Sequence, residues 1–226
     1  MQKHVDIVFQ RITSDFLYPL LKAHGYYQRG RVFYNSQGDC EFRASALLNK
    51  WGRGRSASVT ISAIVAFRRL WEFIRQFDYF ARTQMFTAAG CGGGIERMLP
   101  SGRKPNWLAI HEHSNADALG PELVSQYQEF VFPFLERHTD LKEAIDDWEG
   151  NTSFEGMTRA AAILLTGNRD QALLAVDRLI SCHQERYEEF PRASEAEALD
   201  ACKRFRSFLE SADTSGFRYR VSSDQV

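Results

Sequence analysis

Three short stretches of this chain carry residue types that could do chemistry. His111-Glu112-His113 sets two imidazoles two positions apart. On a strand such positions share a face, so both rings could reach one metal ion, with Asp117 as the nearest third donor. Gly90-Cys91-Gly92-Gly93-Gly94 has the small-residue content of a loop whose backbone N–H groups cradle phosphate. Cys182-His183 puts a thiol next to an imidazole.

None of the three is completed. No obvious third ligand accompanies the histidines beyond Asp117, and no Gly-Lys-Ser/Thr follows the glycines, where Ile95 instead reads as strand. Adjacent residues on a helix point about 100° apart, so Cys182 and His183 do not face one another. Neither a Gly-x-Ser-x-Gly elbow nor a His-Glu-x-x-His helix occurs. The glycine run is therefore expected to be a flexible connector. The cysteines, Cys40, Cys91, Cys182 and Cys202, are expected to be isolated thiols, too widely spaced for a zinc site or a disulfide framework. The chain reads as a non-enzyme without metal or cofactor. A small metal-dependent hydrolase at His111 and His113 stands as a second alternative.

Binding residues are better represented. Trp51-Gly52-Arg53-Gly54-Arg55 offers an indole and two guanidiniums on one short link. Trp51, Arg53 and Arg55 could stack on bases and neutralise phosphates, or anchor a protein contact. Acidic residues gather at Asp140, Glu143, Asp146, Asp147 and Glu149, at Glu185, Glu188 and Glu189, and at Glu195, Glu197 and Asp200. Glu185 and Glu189 share a helix face, and like charges at that spacing repel unless a cation relieves them. The expected partner-binding set is Asp146, Asp147, Trp148 and Glu149 with Glu185 and Glu189.

The charges are unevenly distributed along the chain. Residues 1–110 hold 16 Lys and Arg against 7 Asp and Glu, a net of +9, whereas residues 111–226 hold 12 against 22, a net of −10. The formal total is only −1. Such a split implies either a charged partner for one half or an encounter between the two.

The elements that must carry these residues follow from periodicity. Val5, Val8, Phe9, Ile12, Phe16 and Leu20 predict an amphipathic helix over 3–23, kinked at Pro19 and stopped at Gly25. Strands are expected at 31–35, at 42–48 and at 59–67, where apolar and polar residues alternate, with the Trp51–Arg55 link closing an antiparallel hairpin. Leu70, Phe73, Phe77 and Phe80 return to helical spacing, and short strands are expected at 95–99 and 107–111. From Gly120 the reading is helical throughout, with Pro121 in a first turn, a short helix at 141–148, a helical hairpin broken at Gly167-Asn168 and a last helix at 198–209. The tail after Ser211 is expected to fray.

The run from Phe16 to Tyr34, with its Phe-Leu-Tyr-Pro-Leu-Leu-Lys opening, Gly25-Tyr26 step and aromatic strand, resembles the start of a bacterial domain-of-unknown-function family, number four-three-zero-four. Val59–Val65 and Phe132-Pro133-Phe134-Leu135 also look like that family, so the resemblance spans about 3–140. Ala46 and Ser62 stand where the family tends to carry Gln and Asn. The resemblance implies a fold more than an activity, supplies no catalytic residues, and points loosely to toxin-immunity neighbourhoods.

The expected architecture is α+β: an antiparallel sheet flanked by helices, followed by a C-terminal helical region. Its expected division is an α+β domain at 1–140, a helical extension packed on it at 141–212 and a flexible tail at 213–226. With no signal-peptide core and no apolar run of spanning length, a cytoplasmic location without membrane contact is expected. The expected function is a protein-binding module, in its most specific form an immunity-type protein that neutralises a cationic bacterial toxin by covering its active site. The alternative is a nucleic-acid-binding module using the basic hairpin tip.

Overall fold

The computed structural model describes residues 4–77, 90–147 and 155–211. The predicted N-terminal helix forms in three continuous pieces: α1 (His4–Arg11), a π-helical stretch (Ile12–Leu17) and α2 (Tyr18–Ala23). Pro19 sits in the first turn of α2, and the widened π turn ahead of it accommodates its ring and missing N–H. Val5, Val8, Ile12, Leu17 and Leu21 form the buried stripe.

Six strands follow the expected alternation in large part. They are β1 (Tyr27–Arg29), β2 (Val32–Gln37), β3 (Cys40–Trp51), β4 (Ser56–Phe67), β5 (Gly90–Gly94) and β6 (Leu108–Ile110). The sheet runs β1-β2-β3-β4-β5, with β6 pairing antiparallel to β4. Phe33, Phe42, Ala44, Ala46, Val59, Ile61 and Ala63 point to the buried side. On the other side β4 shows the partly exposed Ser58, Thr60 and Ser62.

Two expectations about strands are corrected. The glycine run is not a connector but β5, and the expected strand at 95–99 is a 3₁₀ turn (Ile95–Arg97). Gly92 has φ +138°, and a Cβ there would overlap the carbonyl oxygen of Ala63. The strand approaches β4 so closely that only glycine fits, and a run of glycines carries no hydrophobic alternation to announce it.

α3 (Arg68–Ile74) follows β4 directly. The next described helix, α4 (Ala116–Gln126), starts before Gly120: the Asn115 side chain caps it by accepting from the Asp117 N–H at 3.0 Å. Pro121 therefore lies inside the helix and not in its first turn. A second π stretch (Tyr127–Val131) leads into α5 (Phe132–Arg137), so α4 and α5 repeat the plan of α1 and α2. The repeat is also in the residues: Phe16-Leu17-Tyr18-Pro19-Leu20-Leu21-Lys22-Ala23-His24 and Phe130-Val131-Phe132-Pro133-Phe134-Leu135-Glu136-Arg137-His138 share Phe-x-aromatic-Pro-x-Leu-x-x-His. Each ends on a C-cap histidine whose Nδ1 meets the carbonyl four residues back, Leu20 at 2.9 Å and Phe134 at 2.7 Å. The first π stretch packs on α4, where Gly120 leaves room for the Phe16 ring.

The C-terminal part is helical as expected: α6 (Leu141–Asp147), α7 (Glu155–Leu165), α8 (Arg169–Glu189) and α9 (Ala193–Ser211). Gly167 at φ +93° turns the chain, and Asn168 caps α8 by accepting from the Gln171 N–H at 3.1 Å. α8 packs on both α7 and α9. Phe73, Phe77, Phe205 and Phe208 form an aromatic cluster, with ring centroids 5.1–6.5 Å apart. The predicted continuation of α3 to Phe80, the connector from Ala88 and the tail after Ser211 lie outside the described residues.

The chain divides into two compact units, 1–65 with 92–139, and 66–91 with 140–226. Residues 66–91 thus group with the C-terminal helices, whereas the expected α+β domain ran unbroken over 1–140. The first unit holds 13 Lys and Arg against 10 Asp and Glu, the second 15 against 19, giving +3 and −4. Cut as the chain folds, the charge split is much milder than the +9 and −10 of its two halves.

Candidate functional site

The acidic positions are carried by helices of the second unit. Asp146 is exposed near the end of α6, and Asp147 closes that helix. The Asp147 side chain, Trp148 and Glu149 lie outside the described residues. Glu185 and Glu189 are exposed on α8 and have no hydrogen bond or ion pair among the described residues. The third cluster is partly used up: Glu195 accepts from His183 at 2.8 Å, and Asp200 pairs with Arg204 one helical turn on. Arg206 meets Asp177 and Glu210, both at 2.6 Å, and these bonds push its guanidinium above its ordinary value. Every one of these partners comes from the C-terminal helices.

Reasoning from sequence missed two aromatics at the same end of α8 as Glu185 and Glu189. The buried stripe of α8 runs Ala172, Val176, Leu179 and His183, and the same spacing continues to Tyr187 and Phe190. These last two are not covered: Tyr187 is 39% exposed and Phe190 55%. The stripe overruns its partners among the described residues at the end of the helix that also carries Glu185 and Glu189.

The basic tip lies in the first unit. Trp51 ends β3 and is 48% exposed, so it does not fold away into the core. Arg53 and Arg55 are exposed, and Arg53 takes the left-handed conformation at φ +57° that the tight link demands. Lys50, on the opposite side of the strand, is tied to Asp6 at 2.5 Å.

His111 and His113 do not share a strand face. β6 stops at Ile110, and the two residues enter a turn closed by the His111 N–H donating to Ser114 Oγ at 2.9 Å. His111 Nδ1 instead lies 3.2 Å from Ser56 Oγ, while among the described residues His113 meets Glu112, at 3.5 Å. Asp117 is engaged by Arg11 at 3.1 Å. Among the described residues no group of three or more His, Cys, Asp or Glu is placed to hold a metal ion.

None of the four cysteines is in a disulfide. Cys91 is buried within β5, and His183, beside Cys182, is committed to Glu195. Burial, with Asp39 nearby, pushes the Cys40 thiol up to about 12. A groove of about 340 Å³ runs beside α5, lined by Met98, Pro100, Phe130 and Phe134, but Arg103 partly fills it, bound to Glu129 at 2.7 Å and lying over the Phe130 ring at 4.4 Å. No described helix is long and apolar enough to cross a membrane.

Fold and surfaces together define an α+β protein with one exposed sheet face and a set of acidic helices. No family model, no curated protein and no solved structure matches the chain.

Proposed function

We propose that this protein is a non-enzymatic binding module that captures a cationic protein partner with the end of α8. Its most specific form is an immunity-type protein that neutralises a bacterial toxin by covering a phosphate-binding active site. One observation carries the reading: the end of α8 bears exposed Glu185 and Glu189, without a partner among the described residues, on one face, and on another Tyr187 and Phe190, which prolong its apolar stripe beyond its cover. Desolvated aromatics supply the affinity of a protein contact, and complementary charge speeds encounter and rejects wrong partners. Asp146 adds a further exposed carboxylate on α6.

The test is co-purification at low salt from the native host, comparing the natural chain with a variant carrying Glu185→Lys, Glu189→Lys and Asp146→Lys. A small basic protein retained by the natural chain and lost from the variant supports the reading, provided that circular dichroism shows both folded. Retention of the same partner by the variant removes the assigned surface.

A further inference from the structure

We propose that the outward face of β3, β4 and β6 binds single-stranded nucleic acid, with bases stacked on Trp51 and Trp107. The proposal rests on the first unit alone and stands or falls independently of the acidic α8 end.

The register brings the two indoles to one face. Asn49 Nδ2 donates to Thr60 Oγ1 at 2.5 Å, so Asn49 of β3 and Thr60 of β4 point to the same side. Alternation puts Trp51 on that side with Asn49, and Ser58 there with Thr60. Ser58 pairs with Ala109 of β6, and Trp107 stands one residue ahead of that strand, so continuing the alternation puts it on the same face. The burial pattern agrees: Leu108 and Ile110 are buried, whereas Ala109 is exposed and Trp107 is 46% exposed. The 3.2 Å contact between His111 and Ser56 extends the same side by one more pair.

The result is a floor of small hydroxyl and amide side chains with a half-exposed tryptophan on either border, Trp51 at the end of β3 and Trp107 just ahead of β6. Two strand spacings, roughly 10 Å, separate those strands. Large aromatics left in water on both borders of a polar floor are not a core-packing solution. Planar stacking on such rings accepts any base, because every base has a π-face.

Charge selects the ligand among those that stack. Arg53 and Arg55 stand exposed at the tip beside Trp51. Farther along the same face, Arg43 lies over the Tyr34 ring at 5.5 Å, and Tyr34 stacks on Tyr27 at 5.7 Å. Glu41, bound to Arg43 at 2.7 Å, is the one acid on the described part of this face in β1–β4 and β6. An excess of arginine interleaved with aromatics suits a polyanion with exposed bases better than a neutral sugar.

The experiment measures anisotropy of a labelled single-stranded DNA of about 16 nucleotides as the full chain is added. Binding is expected at low salt and should weaken steeply between about 50 and 200 mM. Trp51→Ala and Trp107→Ala should each weaken it about 5-fold or more, without loss of fold since both rings are exposed. Ser58→Glu, which puts an anion on the floor, should weaken it as well. Arg53→Ala with Arg55→Ala should lower the salt slope by about 1.4. No binding at low salt, equal affinity in both tryptophan variants, equal affinity for a duplex of the same sequence, or binding of a neutral glucan oligosaccharide instead of the strand would each overturn the proposal.

Discussion

His24 stacks on Phe132 with ring centroids 4.2 Å apart and planes 20° from parallel. The contact joins the end of α2 to the start of α5, the equivalent pieces of the two repeated arms. Phe132 also meets Tyr26 and Tyr127, at 6.3 and 6.2 Å, so it is the ring on which both arms converge. Phe132→Ala is expected to cost about 3–5 kcal/mol in urea unfolding, as for other large buried aromatics. His24→Ala, which removes one exposed stacking partner, is expected to cost about 1 kcal/mol. Equal effects would show that the stack does not organise this junction.

Tyr127 is fully buried, and its hydroxyl finds no hydrogen-bond partner among the described residues. Burial, with Tyr26 close by, pushes its phenol above the ordinary range. An unsatisfied buried hydroxyl is a cost, so Tyr127→Phe should be neutral or stabilise the fold by about 1 kcal/mol, with a melting point higher by roughly 2–4 °C. A drop of a kilocalorie or more would reveal an internal water or other partner on the oxygen.

Cys40 sets an alkaline limit. Its thiol holds its proton up to about 12 when folded, while an unfolded thiol releases it near 8.5–9. Above about pH 9 the unfolded chain binds fewer protons than the native one, so stability is intact below that pH and falls as pH rises toward 12. The loss should reach on the order of 2 kcal/mol by about pH 10.5, and Cys40→Ala should flatten the slope. Urea midpoints at successive pH values measure it, and an unchanged slope in the variant would show that Cys40 is not the source.

His183 and Glu195 form a polar clasp between α8 and α9, with the imidazole buried. His183 is buried, so losing either partner strands the other in a poorly hydrated site. Each single alanine variant is expected to cost about 1–3 kcal/mol, and the double variant clearly less than the sum. Strict additivity in that cycle would mean that the two do not cooperate.

Gly92→Ala should be far more harmful than Gly30→Ala. Both have positive φ, but a Cβ at 92 runs into the Ala63 carbonyl whereas one at 30 meets nothing within 4 Å. The first should unpair β5 and cost several kilocalories, about 3 kcal/mol or more, and the second about 1 kcal/mol, as read by denaturant titration. Comparable losses would place the penalty in backbone conformation alone.

Elements with strong periodicity were legible in the sequence. The helix over 3–23 and the strands around Val32, Phe42 and Val59 show their spacing directly, because one face of each is buried. β5 was not legible, since its glycines have no side chains to alternate. The Asn115 cap was overlooked because Gly120-Pro121 is the louder start signal. The tip residues Trp51, Arg53 and Arg55 lie where their hairpin put them, yet nothing local ties Trp51 to Trp107, 56 positions away. Their common face depends on the Asn49–Thr60 bond and on the β4–β6 register, which are properties of the assembled sheet. The exposed ends of α8 could have been found by following its apolar stripe past His183 to Tyr187 and Phe190.

The chain passes between the two units three times: inside β4 between Val65 and Ala66, inside β5 between Cys91 and Gly92, and in the turn between Thr139 and Asp140. At the two strand crossings there is no linker for a protease or a cloning primer to sever cleanly. A fragment ending after Val65 would lose every strand and helix that returns at Gly92, and one starting at Asp140 would lack α3. Any dissection of this chain must rejoin the pieces in a new order, because each unit is assembled from two separate stretches of chain.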